Sequence, residues 1–492
     1  MASTQTAVRA SSAPSALLCA AAVVTASALL FGGSGLHPVW WLTWFAPLPV
    51  LAISRYVSRR ATFVVAGVSW CLGTLNMWHY FLGALGMPLL LVLVFSLIPA
   101  CLFGVGILMF RSLMSRGALW KASLAFPTFW VTLEYVNNIF SRHGTFPNLG
   151  YTQMDFLPIL QLTSVVGIWG ITFCLFLFPA TVAALLARPR NISFPARLAA
   201  AVAAFFALVF GYGAWRLIEM PAAEGSIKVG LTATGTNTTF PRDDPSALEL
   251  LREYSGKSEA LAHDGAQLIV LPEKIALVSD RGTEQVDALY GSTSARLGVS
   301  ILVGLDRGTI AKRWNEARLY FPDHGRPIAV YDKHHMVPGF EDVDQPGTTI
   351  TVVNERFGPW GMQICKDMDF PDLSREYGRK SVGLLLVPAW DFTLDRWLHG
   401  RMAVMRGVEN GFTVVRTAKQ GLLTVSDDRG RILAQQDAAY VAVGTLLTTA
   451  PVRHDETLYS RWGDWFAWLN MAALGGILIG LVRSRATPRG PL

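Results

Sequence analysis

Charge is scarce in this chain. Only 16% of its 492 residues are Asp, Glu, Lys or Arg, while 52% are hydrophobic. That balance excludes an ordinary soluble protein of this length. Cysteine is scarcer still, with five in all. Cys19, Cys71, Cys101 and Cys174 stand in strongly apolar runs, and Cys365 alone stands outside them, beside Lys366, Asp367 and Asp369. One cysteine cannot form a disulfide within its own domain, so that part of the chain must hold itself together by packing. There is no internal repeat, no low-complexity tract, and no G-x-G-x-x-G after a strand-like run. The net charge of +7 does not call for nucleic acid, because the surplus can sit in Arg that flanks apolar segments.

The apolar residues are unevenly placed. Runs near 12–32, 37–54, 61–80, 85–110, 119–138, 158–187 and 197–218 precede residue 220, and an eighth covers 464–482. A helix that spans a bilayer needs about 20 apolar residues, which most of these supply. The second is short and interrupted by Pro47 and Pro49. The first also fits a secretory leader, but six more runs follow it and no small-residue cleavage site closes it. Basic residues cluster after alternate runs: Arg9 before the first, Arg55, Arg59 and Arg60 after the second, Arg111, Arg116 and Lys121 after the fourth, Arg188, Arg190 and Arg197 after the sixth, and Arg483, Arg485 and Arg489 after the eighth. Lys and Arg collect on the cytoplasmic side. One threading satisfies all the clusters, with both termini cytoplasmic and the segment between the last two runs outside. The expected organisation is a membrane domain over 1–220 with seven spans, an extracytoplasmic domain over 221–460, and a last span with a cytoplasmic tail over 461–492.

The middle domain reads as layered α/β. Strand-like runs lie at 266–273, 299–305, 316–321, 327–332, 381–389 and 411–417, and helical patterns at 246–265 and 395–411 each end at a glycine. Three polar residues fall where strands end: Glu273 after "LIVLP", Lys333 after "IAVYD", and Cys365 after "WGMQI". Catalytic groups gather beyond strand ends in open α/β sheets. A carboxylate can take a thiol proton, and a lysine can favour the thiolate and then stabilise an oxyanion. Singly, each has an ordinary alternative as a solvated carboxylate, a surface charge or a small core filler.

The stretches "LIVLPEK", "YDKHHMVPGFE", "GMQICKDMDFPDLSREYG" and "LLLVPAWDF" together resemble the nitrilase superfamily, with a Glu–Lys–Cys triad in that order. With seven spans before and one after, the chain resembles the apolipoprotein N-acyltransferases, the membrane-embedded branch. The resemblance implies an α-helical membrane domain joined to an αββα sandwich in the bacterial inner membrane. It also implies transfer of an acyl chain from a phospholipid donor to the N-terminal amine of a diacylglyceryl-cysteine lipoprotein, with no cofactor and no metal. It makes Glu273 the base, Lys333 the oxyanion-side cation and Cys365 the nucleophile, and it gives Glu341 and the N–H of Lys366 supporting places. Trp360, Trp390 and Phe392 are candidates for an apolar rim around the acyl chain. The chain departs from the family at Lys366-Asp367, at Pro388–Phe392 and in the order of Gly339 and Phe340, which bears on donor and acceptor choice. A hydrolase with the same triad, or transfer to another amine, stays open, as does a transporter or scaffold with a retired site. His334-His335, His399, Trp397 and the polar group Glu134, Asn137, Arg142 and His143 read as structural as readily as functional.

Overall fold

The computed structural model describes residues 13–187, 195–219, 222–236 and 240–486. Arg9, Arg188, Arg190 and Arg489 of the basic clusters lie outside them. The chain forms two compact units: Met1–Val131 with Thr172–Phe206 and Asn470–Leu492, and Thr132–Ile171 with Ala207–Leu469. The division differs from boundaries at 220 and 460, because residues on either side of those points make polar contacts with the α/β part. Arg216 pairs with Asp455 at 2.9 Å, the N–H of Ile168 donates to Glu409 at 3.0 Å, and the Trp169 indole donates to Asp464 at 2.8 Å.

Among the described residues, five helices are long and apolar enough to cross a membrane: Ala16–Gly33, Leu89–Met114, Ile168–Leu186, Pro195–Ile218 and Trp465–Arg483. Leu119–Phe140 is also 22 residues long, but carries Lys121 and Glu134. The second apolar run is two short helices, Trp40–Phe45 and Leu48–Ile53, on either side of Pro47. The third is Arg59–Gly73 continued by short irregular turns to Ala84. The sixth is not one helix. It breaks into Leu157–Leu160, Thr163–Val166 and Ile168–Leu186, and the second break falls at Gly167, whose φ of +65° a helix cannot contain. Within the first unit the core is aromatic. Trp70 lies 4.8 Å from Trp130 and 5.1 Å from Phe103, and Phe126 lies 4.6 Å from Phe176, centroid to centroid.

Among the described residues the second unit has thirteen strands: β1 (Gly225–Ala233), β2 (Leu268–Val270), β3 (Leu277–Val278), β4 (Ser300–Gly308), β5 (Arg313–Tyr320), β6 (Ala329–Asp332), β7 (Val352–Val353), β8 (Trp360–Met362), β9 (Leu384–Trp390), β10 (Thr413–Lys419), β11 (Leu422–Ser426), β12 (Ile432–Asp437) and β13 (Gly444–Val452). One sheet runs β13-β1-β2-β4-β5-β6 with β3 on β4, and the other runs β12-β11-β10-β9-β8-β7. Successive side chains of a strand point to opposite faces, and the cores follow that rule. Val229, Leu231, Val270 and Leu302 of the first sheet meet Leu384, Leu386, Val415 and Met362 of the second between the layers. Ile269, Ile301 and Val303 face outward onto the helices Asp244–His263 and Asp280–Leu297 through Leu251, Tyr254, Val286 and Tyr290. Leu385, Val387 and Val414 face outward with Tyr377 of helix Pro371–Arg379 and Ala403 of helix Arg396–Asn410. The result is four layers, helix–sheet–sheet–helix. In each sheet the central strands are parallel: β1, β2 and β4 in one, β8, β9 and β10 in the other.

Candidate active site

Glu273 follows β2. Its strand is shorter than its apolar run, because Pro272 has no N–H for the ladder. Gly304 on the neighbouring β4 lets this turn come close; a Cβ there would lie 2.3 Å from the Pro272 carbonyl oxygen. Lys333 follows β6 and keeps the sheet register through its N–H, which donates to the Asn315 carbonyl at 2.9 Å. Cys365 opens a short 3-10 turn, Cys365–Asp369, after β8 and has a φ of +45°. A non-glycine residue there carries about 1–3 kcal/mol of strain. The sharp strand-to-turn bend offers the side chain to the site, the same device as a nucleophile elbow.

The carboxylates and the lysine meet directly. The Lys333 ammonium donates to Glu273 Oε1 at 2.8 Å and to Glu341 at 3.0 and 2.8 Å. Asn315 Nδ2 donates to Glu273 at 2.6 Å and to Glu341 at 3.2 Å. Glu273, Lys333 and Glu341 are all buried. Burial alone would lower the Lys333 pKa, but Glu273, Glu341 and the Cys365 sulfur hold it well above the usual lysine value. Burial alone would raise Glu341, but Lys333 and Lys274 hold it well below the usual carboxylate range. Both groups are therefore charged at neutral pH. Cys365 keeps some surface exposed, yet burial and then Glu273 push its thiol well above the ordinary value, against Lys333. The resting sulfur is a thiol and needs a base.

Around this centre lie groups for which no role was expected. Asp367 is fully buried and accepts from five donors. These are the Tyr331 hydroxyl at 2.7 Å, the N–H groups of Ile364, His334 and His335 at 3.1, 3.1 and 2.9 Å, and His335 Nδ1 at 3.2 Å. It thereby ties the end of β6, and with it Lys333, to the Cys365 turn. Lys274, next to Glu273, pairs with Glu341 at 2.7 Å and with Asp344. Arg313 donates to Asp344 at 2.7 Å and forms an ion pair with Asp306 at 3.0 Å. Asp391 holds Arg416 through both its oxygens. From residues 132–171, Thr145 donates its N–H and hydroxyl to the Asp369 carbonyl at 2.9 and 2.7 Å, fixing the far end of the turn. The signals in the sequence were the departures at Lys366-Asp367 and Pro388–Phe392, which cover Asp367 and Asp391, and the density of charge within otherwise apolar motifs.

The remaining expected residues divide. The Lys366 ammonium turns to Asp369 at 3.0 Å; the charges that act most on the thiol are Glu273, Lys333, Asp391 and Arg416 instead. Trp360 belongs to the core between the sheets, edge-on to Phe321 at 5.9 Å, because β8 points it inward. It is therefore not part of a rim. Trp390 meets the centre through its backbone, and Phe392 stands two residues further on. The Trp390 carbonyl accepts from the Cys365 thiol at 3.7 Å, Phe240 lies 6.2 Å from its ring, and Phe392 packs at 4.9 Å on the half-exposed Phe340. His335 stacks on Phe370 at 3.5 Å and His334 on Tyr331 at 5.1 Å. Asp391, Asp395 and His399 could between them offer ligands to a metal. The protein already uses them: Asp391 on Arg416, and Asp395 on His399 at 3.0 Å and the Phe392 N–H at 3.0 Å. Glu134 accepts from Asn148 at 2.7 Å and the Leu149 N–H at 3.0 Å, bracing the turn that carries Thr145.

The four-layer sandwich, with an acid, a lysine and a thiol at converging strand ends, defines a nitrilase-superfamily enzyme. A family model described as carbon-nitrogen hydrolase matches residues 232–449, and one described as the apolipoprotein N-acyltransferase N-terminal domain matches 15–181. The chain belongs to the apolipoprotein N-acyltransferase family. A relative of that name from Geobacter metallireducens is 28% identical over 90% of this chain and 91% of its own. One from Treponema denticola, apolipoprotein N-acyltransferase 1, is 22% identical over 87% and 89%. A solved amidase from a Nesterenkonia species is 20% identical over 51% of this chain and 100% of that one, with a TM-score of 0.41.

Proposed function

We propose that this enzyme moves an acyl chain from a phospholipid, through a thioester on Cys365, to the N-terminal amine of a diacylglyceryl-cysteine lipoprotein. The observation that carries the assignment of roles is the contact of Lys333 with Glu273 at 2.8 Å beside the strained Cys365 turn. Glu273 takes the thiol proton as the sulfur attacks the ester carbonyl. The Lys333 ammonium, with the N–H of Lys366 at the start of the turn, stabilises the tetrahedral oxyanion. As the C–O bond breaks, protonated Glu273 returns its proton to the departing lysophospholipid oxygen, leaving the thioester. The acceptor amine then attacks, Glu273 takes its proton, and the C–S bond breaks to regenerate the thiol by the same proton's return. Glu341 stays anionic and holds Lys333 in place. Phe240, Trp390, Phe340 and Phe392 supply apolar surface that keeps water from the thioester.

Exposure of the full enzyme to phospholipid without acceptor should add one acyl mass to the peptide bearing Cys365, removable by neutral hydroxylamine. A diacylglyceryl-cysteine peptide should then discharge it. Release of fatty acid alone, with or without that peptide, would make it a hydrolase instead. The α/β unit is placed on the outer side of the cytoplasmic membrane and both termini inside, on the strength of the basic clusters. Reporters fused after residue 230 should read external, and those after residues 60 or 118 internal; a cytoplasmic reading at 230 would overturn both the topology and the lipoprotein acceptor.

A further inference from the structure

The two sheets supply different parts of the site. Glu273 and Lys333 come from the first sheet, and Cys365 comes from the second. One buried side chain joins them at this point without a part in the proton transfers above. Lys419 ends β10, paired in register with Trp390 at the end of β9. Its ammonium crosses to the first sheet and donates to the carbonyl of Lys274 at 2.7 Å. Lys274 is the neighbour of Glu273 and has a φ of +48°, a conformation that a non-glycine residue keeps only when its surroundings hold it. The same nitrogen lies 3.5 Å from the centre of the Trp390 ring. That ring is fixed by its indole bond to Gln420 Oε1 at 2.8 Å, and its carbonyl touches the Cys365 thiol at 3.7 Å. A second cross-sheet bond, from the Glu273 N–H to the Ala389 carbonyl, is longer at 3.4 Å.

We propose that Lys419 is a positioning residue that clamps the Glu273 turn of one sheet to the Trp390 end of the other, and whose charge sets how strongly Glu273 acts as a base. The inference rests on the reading of Glu273 as base and Cys365 as nucleophile. The charged groups that act on Lys419 are Glu273, Asp306 and Lys274. Burial lowers it to about 7, against the pull of Glu273 and Asp306 and with the repulsion of Lys274; the face of Trp390 also favours the cation. Below neutrality the positive charge beside the Glu273 turn opposes transfer of a proton onto that carboxylate. Above neutrality the neutral amine still donates to the Lys274 carbonyl, so the clamp persists while the base strengthens.

The test uses the full-length enzyme with phospholipid in mixed micelles, following acylation of the Cys365 peptide by mass spectrometry across neutral pH. The wild-type rate should rise through pH about 7. Lys419→Arg keeps a donor and a permanent cation, so the rise should vanish and the rate stay at the acid-side level. Lys419→Met should lose the rise and also lower kcat by about tenfold with KM little changed, since misplacement of a base costs the chemical step rather than binding. Lys419→Gln, a neutral donor, should recover part of that loss. A rise that persists in both the Arg and Met variants, or a Met variant with wild-type kcat, overturns the inference. If the Met variant does not fold, the Arg and Gln profiles decide the matter by the same criteria. Failure of the acyl-transfer reading looks different: a folded wild-type enzyme whose Cys365 peptide never gains an acyl mass.

Discussion

The two units of this protein bury opposite things. Among the described residues, the helical unit buries Ser, Thr and Asn but no charged side chain, and its interior is Trp70, Phe103, Phe126, Trp130 and Phe176. The α/β unit buries Glu273, Lys274, Asp306, Lys333, Glu341, Asp344, Asp367, Asp391, Arg416 and Lys419, among others. A charge taken out of water costs several kcal/mol unless it is paired and hydrogen-bonded. The α/β unit meets that cost by giving each carboxylate a cation or several N–H donors. Stability alone would not select this, since apolar replacements of buried pairs are often neutral or stabilising. The comparison teaches that chemistry is concentrated where the protein tolerates an expensive interior, and that the greasy unit has no such interior to offer.

The largest effects are expected where the proposed triad is removed from the α/β unit. Cys365→Ala should abolish acylation, and Glu273→Gln or Lys333→Met should each slow it by roughly 10²-fold or more, measured by adduct formation on intact protein. A Cys365→Ala enzyme with near-normal turnover would end the argument. Next is Asp367→Ala, which leaves five donors facing a void and unties the Cys365 turn from Lys333. A loss of roughly 3–5 kcal/mol is expected for a broken buried charge cluster, read as a large fall in melting temperature together with slowed acylation. In the helical unit the contrast should be plain: Phe103→Leu should cost less than about 1.5 kcal/mol and leave the acylation rate unchanged.

Smaller effects sharpen the picture. Lys366→Met strands Asp369 and should lower the melting temperature, but the pH dependence of Cys365 alkylation should not move, because the side chain serves its own turn. A shifted alkylation profile would return Lys366 to the thiol's company. The smallest effect is at His399. Burial would lower its pKa, but Asp395 outweighs it and raises it to about 9. A raised pKa means the pair stabilises the fold fully below the unfolded value of about 6.5, and the stabilisation is lost as pH rises through about 9. His399→Gln should remove that alkaline dependence of the melting temperature.

Much of this was legible beforehand. The strand ends at Glu273, Lys333 and Cys365 could be read because a buried parallel strand is a continuous apolar run, and a polar residue that breaks it stands out. Trp360 was misplaced on the rim because an aromatic near a nucleophile looks the same in sequence whether its strand turns it inward or outward. The break at Gly167 was hidden within an apolar run whose hydropathy does not change across the turn. Asp367 stands in the sequence only as a departure from the family pattern, and nothing local marks Lys274 or Lys419 as buried.

By itself the sequence determined the membrane character and the layered α/β domain, since those depend on apolar periodicity, and it set Glu273, Lys333 and Cys365 at strand ends, where the family resemblance implies their proposed roles. Only the tertiary structure decided which charges meet. Lys333 is 60 residues from Glu273 and Lys419 is 145 from Lys274, and no local pattern encodes a contact across that distance. It is the pairing of two sheets, fixed by their shared apolar core, that brings the Glu273 carboxylate from one and the Cys365 thiol from the other to the same corner.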